Sequence, residues 1–308
     1  MLPAFLTTVL FAISAVSANR TTKLLGGIAA NFWRISAAAI FLGLYAHSLG
    51  WGLGGEAFPI FLLSGCVGFG VGDTALYQAL PRLGSRLSVL LVHCLAAPFA
   101  AGTEWLWLGT TLSSQQILCS LTILAGVSLA LAPSRHLNLT RRTLVIGVLL
   151  GILAAFGQGF GAVLSRKAYQ IAASANESID GISAAYQRII AGWFVAALLL
   201  VAAKRHASWF GAGEGTDPSA AAAGGNNRWQ SAWPWILVNA VSGPTLGVSC
   251  YQWALATTPT GIVLPIVAIT PLVVIPFARV MEGERPTLRS LIGGVVAVLG
   301  AAAMTIIQ

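Results

Sequence analysis

Charged residues are scarce in this 308-residue sequence, where Asp, Glu, Lys and Arg together make up 8% of the chain. Soluble domains carry about 25% charged residues, which keep their surfaces hydrated. Apolar side chains here reach 56%, and the mean hydropathy is +0.81. Such a small number of charges cannot cover a water-exposed surface. The composition therefore excludes an ordinary soluble domain and predicts a polytopic membrane protein.

Cysteine and histidine are also rare, with four residues of each. The cysteines fall inside apolar segments and have neither metal-ligand spacing nor the pattern of a disulfide framework. No His-Glu-x-x-His motif and no Gly-x-x-x-x-Gly-Lys-Ser/Thr phosphate loop occurs. The sequence therefore predicts no metal, no cofactor, no use of ATP and no enzyme of these classes. The four cysteines are Cys66, Cys94, Cys119 and Cys250.

The hydrophobic residues come in runs of about 17 to 25, close to the ~20 residues with which a helix crosses ~30 Å of hydrocarbon. Strands of a membrane barrel would instead alternate over about ten residues. We therefore predict an all-α membrane protein with ten transmembrane helices. The predicted spans are 2–18, 28–46, 58–78, 85–107, 115–132, 144–165, 182–202, 233–254, 260–281 and 287–307.

The net charge of +8 does not indicate nucleic-acid binding, because almost all basic residues flank the predicted spans. Positive charge at these places sets the orientation of a membrane protein. Most of it lies in the odd-numbered connections, which the positive-inside rule places in the cytoplasm. Both termini would then lie outside.

The two halves of the chain repeat one another. Pairs of equivalent residues recur in the same order, and two of these pairs share a common offset of 175 residues. Five helices per half is an odd number, so the second half must enter the membrane inverted, as in many secondary transporters. The matched features are Asn31–Arg34 with Ala185–Arg188, Gly72 with Gly247, Ala79-Leu80 with Ala254-Leu255, and Pro98 with Pro271.

This repeat divides the chain into three parts: a first five-helix unit over 1–132, a basic connection over 133–143, and a second unit over 144–308. The second unit contains a Gly-, Ala- and Ser-rich stretch at about 207–231, which has no periodicity and is predicted to be a flexible loop.

Two stretches carry a family resemblance. ALPRLGSRLSVLLVHCLAAPFAAGTEWLWLG with the following ILAGVSLAL, and ATTPTGIVLPIVAITPLVVIPFARVMEGERPTLRSLIGGVVAVLGAAA, resemble the EamA domain of the drug/metabolite transporter superfamily. The second retains the family's Gly-Glu-Arg turn as Gly283-Glu284-Arg285, whereas Thr110 replaces the glutamate in the first.

The resemblance implies a ten-helix exporter or exchanger of amino acids, metabolites, sugar conjugates or drugs. We predict a secondary transporter of amino acids or related small solutes, with possible partners limited to the bilayer, the solute and protons. We place it in a bacterial inner membrane, as a monomer or a homodimer. The resemblance also implies cytoplasmic termini, against the charge distribution.

The stretch FGVGDT at 69–74 contains the Gly-x-Gly-Asp signature of intramembrane aspartyl proteases. Such an enzyme needs two carboxylates that share a proton. Besides Asp73, the chain has only Asp180, in a short loop, and Asp217, in the flexible stretch. The protease alternative is therefore disfavoured.

Asp73 must still face protein or water, because an ionisable group in a spanning segment costs about 3 kcal/mol or more when it faces lipid. One interpretation is a cavity carboxylate that binds cations or protons. The other, which we favour, is a helix-end aspartate paired with Arg82 or Arg86.

Further polar side chains in the spans are candidates for a solute cavity. His93 and Glu104 are eleven residues apart, about three helical turns, so they share a helix face and could couple proton movement to transport. Hydrogen-bonded packing is the alternative for both. The other candidates for the cavity are Trp33, Tyr77, Gln78, Gln158, Asn239, Tyr251 and Gln252.

Arg34 and Arg188 occupy equivalent positions in the two repeats. They could recognise an anion at the mouth of a cavity through the guanidinium fork, or they could clamp helix ends within one half, which we favour. Pro98 and Pro271, also equivalent, could serve as paired hinges or simply shape the packing.

Overall fold

A computed structural model describes residues 1–109, 111–131, 140–205, 225–282 and 287–307. In these ranges the regular structure is entirely helical, as the apolar runs predict. The α-helices are α1 (Leu2–Leu25), α2 (Gly27–Ser48), α3 (Phe58–Gly65), α4 (Asp73–Leu108), α5 (Ser114–Leu131), α6 (Arg141–Ser174), α7 (Gly181–Arg205), α8 (Gly225–Ala240), α9 (Val248–Thr257), α10 (Thr260–Val267), α11 (Thr270–Glu282) and α12 (Leu288–Ile307).

Six helical segments in the described ranges are long and apolar enough to cross a membrane. The described residues thus confirm a helical, membrane-spanning chain, whereas they do not confirm the predicted count of ten crossings. Large apolar side chains face outward along these segments, as lipid contact requires. The six segments are Leu2–Leu25, Gly27–Ser48, Phe58–Leu108, Arg141–Ser174, Gly181–Arg205 and Thr260–Phe277.

The predicted spans 58–78 and 85–107 belong to one helical stretch of 51 residues, Phe58–Leu108. The two spans are separated at Gly84, where the backbone leaves helical geometry, and residues 79–83 extend the first of the two helices. Gly84 has φ +77°, a left-handed conformation that glycine adopts without the steric penalty of a side chain. The bend therefore replaces a loop at this point.

Two π-helical segments interrupt the helices at matching places in the two halves. The first is Cys66–Gly72, between α3 and α4, and the second is Val241–Gly247, between α8 and α9. Each is seven residues long, and they are offset by the same 175 residues as the predicted pair Gly72 and Gly247. Single wide turns of this kind occur often at functional sites.

Several boundaries differ from the predictions. The stretch predicted to be a loop at 207–231 is helical from Gly225, and the basic connection 133–143 is helical from Arg141, with Thr140 as the N-cap that accepts a hydrogen bond from the Thr143 amide. The Gly283-Glu284-Arg285 turn and Thr110 lie outside the described residues, as do the remaining parts of both loops.

The two prolines predicted as equivalent hinges lie in different settings. Pro98 is inside α4, in the part that follows the bend at Gly84, whereas Pro271 is in the first turn of α11, directly after the chain leaves α10. The predicted span 260–281 is therefore two helices, because Pro271 has no amide hydrogen with which to continue the helical hydrogen bonds of α10.

Helices from the two halves pack against each other throughout the molecule, most extensively as α4 with α6, α5 with α12, α2 with α7, and α1 with α8. Small residues allow the close approaches. A Cβ atom added to Gly159 would lie 2.7 Å from the Ala96 carbonyl oxygen, and one added to Gly126 would lie 2.6 Å from the Ala297 nitrogen. Such close backbone contact is the usual basis of helix association in lipid.

Candidate functional site

A central cavity of about 110 Å³ lies between the two halves. Both π-helical segments contribute to its wall, together with α1, α2, α4, α6, α7 and α9. Its apolar lining includes Phe11, Phe69, Leu76, Val92 and Pro244, an arrangement typical of a ligand site with a few converging polar groups. The polar side chains that line it are Ser14, Arg34, Asp73, Tyr77, His93, Gln158, Arg188 and Tyr251.

One end of the wall carries an ion pair between Arg34 of α2 and Asp73, the first residue of α4. The Oδ1 atom of Asn31 accepts hydrogen bonds from Nε and Nη2 of Arg34, each 3.1 Å long, and the guanidinium lies 4.6 Å from the centre of the Tyr77 ring. The charge of Arg34 is therefore matched by a carboxylate. The prediction that Asp73 pairs with a following arginine on its own helix is wrong, because α2 brings Arg34 to it.

Arg188 of α7 has a different environment. Its Nε donates a 2.8 Å hydrogen bond to Oγ of Ser64, and its guanidinium carbon lies 5.3 Å from the Phe69 ring centre. The Arg34–Asp73 contact is the one salt bridge found among the described residues, so no described carboxylate pairs with Arg188. Only 5% of Arg188 is exposed. It is thus a buried cation on the cavity wall, held by a neutral hydroxyl.

Residues of α6 and α1 contact His93. The amide nitrogen of Gln158 lies 3.0 Å from its Nδ1, and Phe11 stacks on its ring with centroids 6.2 Å apart. The structure therefore brings together the predicted candidates His93 and Gln158 in the cavity, on helices from different halves.

Tyr77 and Tyr251 both line the cavity, but only one has a hydrogen-bonded hydroxyl. Asn239 of α8 donates a 2.6 Å hydrogen bond to the Tyr77 hydroxyl and accepts a 2.8 Å bond from Ser14. Asn239 is thus satisfied behind the wall and does not line the cavity. The hydroxyl of Tyr251 is buried and has no partner among the described residues.

Glu104 does not share the cavity with His93, contrary to the prediction. Its carboxylate accepts hydrogen bonds from the Thr260 hydroxyl and, at 3.2 Å, from the Gly261 amide, so it caps the N-terminus of α10. Eleven residues return to the same helix face but advance about 16 Å along the axis. The shared face was right and the shared site was wrong.

Three other predicted candidates also lie away from the cavity lining. Trp33 is 41% exposed and packs edge-on against Trp229. Gln78 accepts a 3.1 Å bond from Arg82. Gln252 is buried, and neither polar atom of its side chain has a partner among the described residues.

Sequence reasoning missed Phe11, Ser14 and Ser64. A hydroxyl or a phenyl ring in an apolar helix gives no signal of its own, and these side chains matter only through the partners that α4, α7 and α8 bring to them. The aspartates of the protease alternative do not form a dyad in the described part of the chain. Asp73 pairs with Arg34, and Asp180 accepts bonds from the amides of Ile182 and Ser183 at the start of α7, while Asp217 lies outside the described residues.

A cavity lined by both halves of a helical membrane protein, with a few polar side chains in an apolar wall, is an arrangement known from proteins built of two repeats. The model of the EamA-like transporter family matches residues 1–132 and 145–306, so the chain belongs to that family. The resemblance inferred from the sequence is confirmed.

Solved structures agree with this fold. A crystal structure described only as "Crystal structure of protein" has 18% sequence identity and a TM-score of 0.68, covering 99% of this chain and 96% of that one. At this identity the likeness shows the fold alone. No curated protein matches the sequence significantly.

Proposed function

We propose that this protein is a secondary transporter that moves a small organic solute across a bacterial inner membrane by alternating access. The observation that carries the proposal is the central cavity, whose polar wall is shared by both halves of the chain. A site between two halves can open to either side of the membrane as the halves move against each other.

The architecture proposed for this movement is ten membrane-crossing segments in two inverted repeats, 1–132 and 144–308. The two matched stretches of the family model support this division. The π-helical segments, at one common offset, support it independently. The solute would be an amino acid or a related metabolite of similar size.

Uptake of a labelled amino-acid mixture into proteoliposomes tests the proposal. We expect saturable uptake by the wild type. Ala15 lines the cavity, so Ala15→Phe should fill part of it and reduce uptake to the background of empty vesicles. Ala173→Phe, on an exposed surface of α6, is the matched control and should transport normally. Uptake that rises linearly with concentration, without saturation, would indicate a channel and contradict the proposal.

Proton coupling is proposed to act through His93, because this side chain can bind a proton and lines the cavity. Glu104 caps α10 instead and is assigned no coupling role. The other titratable side chains on the same wall are Arg34, Asp73, Tyr77, Arg188 and Tyr251.

Two variants, measured in vesicles with an imposed proton gradient, distinguish the proposed coupling role of His93 from the capping role of Glu104. We expect His93→Gln to lose the acceleration that the gradient gives while it keeps solute exchange. Glu104→Gln should keep the acceleration, because its carboxylate lies outside the cavity. The opposite pattern, with acceleration lost only in Glu104→Gln, would refute the assignment.

A further inference from the structure

We infer that the cavity binds a singly charged organic anion of the carboxylate class, through Arg188 with the Tyr251 hydroxyl as a second donor. This inference rests on the proposed function, because it names the solute class of the same cavity.

The charged side chains that line the cavity are Arg34, Asp73 and Arg188, so the cavity carries one positive charge more than it carries negative charges. The ion pair of Arg34 and Asp73 accounts for one cation. The remaining charge belongs to Arg188. A buried charge without a counter-ion is expensive, and an anion that enters the cavity would offset that cost.

Asp73 is near enough to Arg188 for a Coulombic interaction, but its ion-pair contact is with Arg34. The repeat explains why Arg188 has no acid of its own in direct contact. An offset of 175 residues carries Asp73, the first residue of α4, onto Val248, the first residue of α9. Both of these residues line the cavity. Asn31, which holds Arg34, corresponds to Ala185 three residues before Arg188. The second half has therefore kept the arginine and has apolar side chains where the first half has its two partners.

The guanidinium of Arg188 is fixed in a way that leaves donors for a ligand. Its Nε is occupied by Ser64, and a Cβ atom on Gly68 would lie only 2.9 Å from Nη2. The absence of a side chain at Gly68 thus leaves space at this nitrogen. A planar guanidinium can bind both oxygens of a carboxylate.

The Tyr251 hydroxyl is the second donor. The side chain lines the cavity, is 3% exposed and has no hydrogen-bond partner among the described residues. It comes from α9, which packs against α7, the helix that carries Arg188. The apolar lining by Phe69, Val92 and Pro244 suits the hydrocarbon part of the anion.

Thermal unfolding of the purified protein in detergent tests the inference. The probes are straight-chain carboxylates from acetate to hexanoate, each beside its primary amide and its primary amine. We expect carboxylates to raise the unfolding temperature and the amides and amines to leave it unchanged. Arg188→Gln should weaken carboxylate binding about tenfold or more, as the loss of a charged hydrogen bond does. Arg166→Gln, on an arginine that bonds the backbone outside the cavity, should bind as the wild type.

A second pair of variants keeps Arg188 in place. Val248→Asp restores the acid that the first half has, so it should neutralise Arg188 and abolish carboxylate binding. Val248→Asn has nearly the same shape without the charge and should retain binding. Stabilisation of equal size by amides and carboxylates, no stabilisation by any carboxylate, or undiminished binding in both Arg188→Gln and Val248→Asp would overturn the inference.

The outcomes for binding and for transport are separable. Saturable uptake of solutes without any preference for carboxylates would remove the inference and leave the transporter proposal intact. Carboxylate binding that depends on Arg188, in a protein that takes up no solute, would remove the transporter proposal and leave the carboxylate site intact.

Discussion

Arg34 and Arg188 occupy matching positions in the two halves, yet the structure gives them opposite environments. Arg34 is paired with Asp73 and bonded to Asn31, whereas Arg188 is bonded to the neutral hydroxyl of Ser64. The two π-helical segments lie at one common offset, so the backbone matches in this part of the two halves. The difference therefore lies in side chains, and a shared scaffold has acquired an asymmetric distribution of charge.

The comparison extends to the packing at the start of each π-helical segment. Gly65 precedes the first, and an added Cβ atom there would lie 1.8 Å from the carbonyl oxygen of Arg188. At the same offset the second half has Ala240, which is fully buried. The first half thus needs a glycine where the second half accommodates a methyl group.

The largest effect is expected from Gly65→Ala, because no side-chain movement can relieve a contact with the backbone of α7. We expect loss of folded protein, seen as the absence of a monodisperse peak on size-exclusion chromatography in detergent. Gly102→Ala is the control: its Cβ would meet nothing within 4 Å, and alanine in a helix is favoured over glycine by about 1 kcal/mol. A well-folded Gly65→Ala protein would contradict the proposed close approach of α3 and α7.

The next largest effect is a difference in stability between variants of Arg34 and of Arg188. Arg34→Gln removes the ion-pair partner of Asp73, whose side chain is 24% exposed, so we expect a loss at the lower end of the about 3 to 5 kcal/mol that a buried pair costs when one partner is removed. Arg188→Gln leaves no unpaired carboxylate among the described residues and should change stability by about 1 kcal/mol or less. Unfolding temperatures of the two purified variants measure the contrast.

The double variant Arg34→Gln with Asp73→Asn is the control for this pair. It removes both charges together, so it should recover most of the stability that Arg34→Gln loses. Equal losses in the two single arginine variants would mean that Arg188 has a counter-ion too, and the asymmetry between the halves would disappear.

Much of this arrangement follows from the sequence. The apolar runs predict the helical segments. The predicted pair Gly72 and Gly247 ends the two π-helical segments, although the sequence gives no signal for the π-helical geometry itself. The pairing of Asp73 could not be obtained in this way, because its partner Arg34 lies 39 residues away on another helix and neighbours on its own helix were the local choice. The packing of α2 against α4 determines that Arg34 is the partner of Asp73.

Glu104 illustrates the other limit. Helical periodicity places it correctly on the face of His93, but periodicity contains no information about where along that face a cavity ends. The N-terminus of α10, which Glu104 caps, belongs to a segment 156 residues later in the chain. Only the assembled helices show which of the two side chains meets the solute space.

The smallest effect contrasts the two tyrosines of the cavity wall. Tyr77→Phe leaves the amide of buried Asn239 without its acceptor, so it should cost about 1 to 3 kcal/mol. Tyr251→Phe removes a hydroxyl that has no partner among the described residues, so stability should stay within about 0.5 kcal/mol of the wild type. Thermal unfolding without ligand measures both. A loss in Tyr251→Phe as large as that in Tyr77→Phe would show that the Tyr251 hydroxyl is already bonded within the protein. A bound carboxylate would then have Arg188 as a donor without Tyr251 beside it.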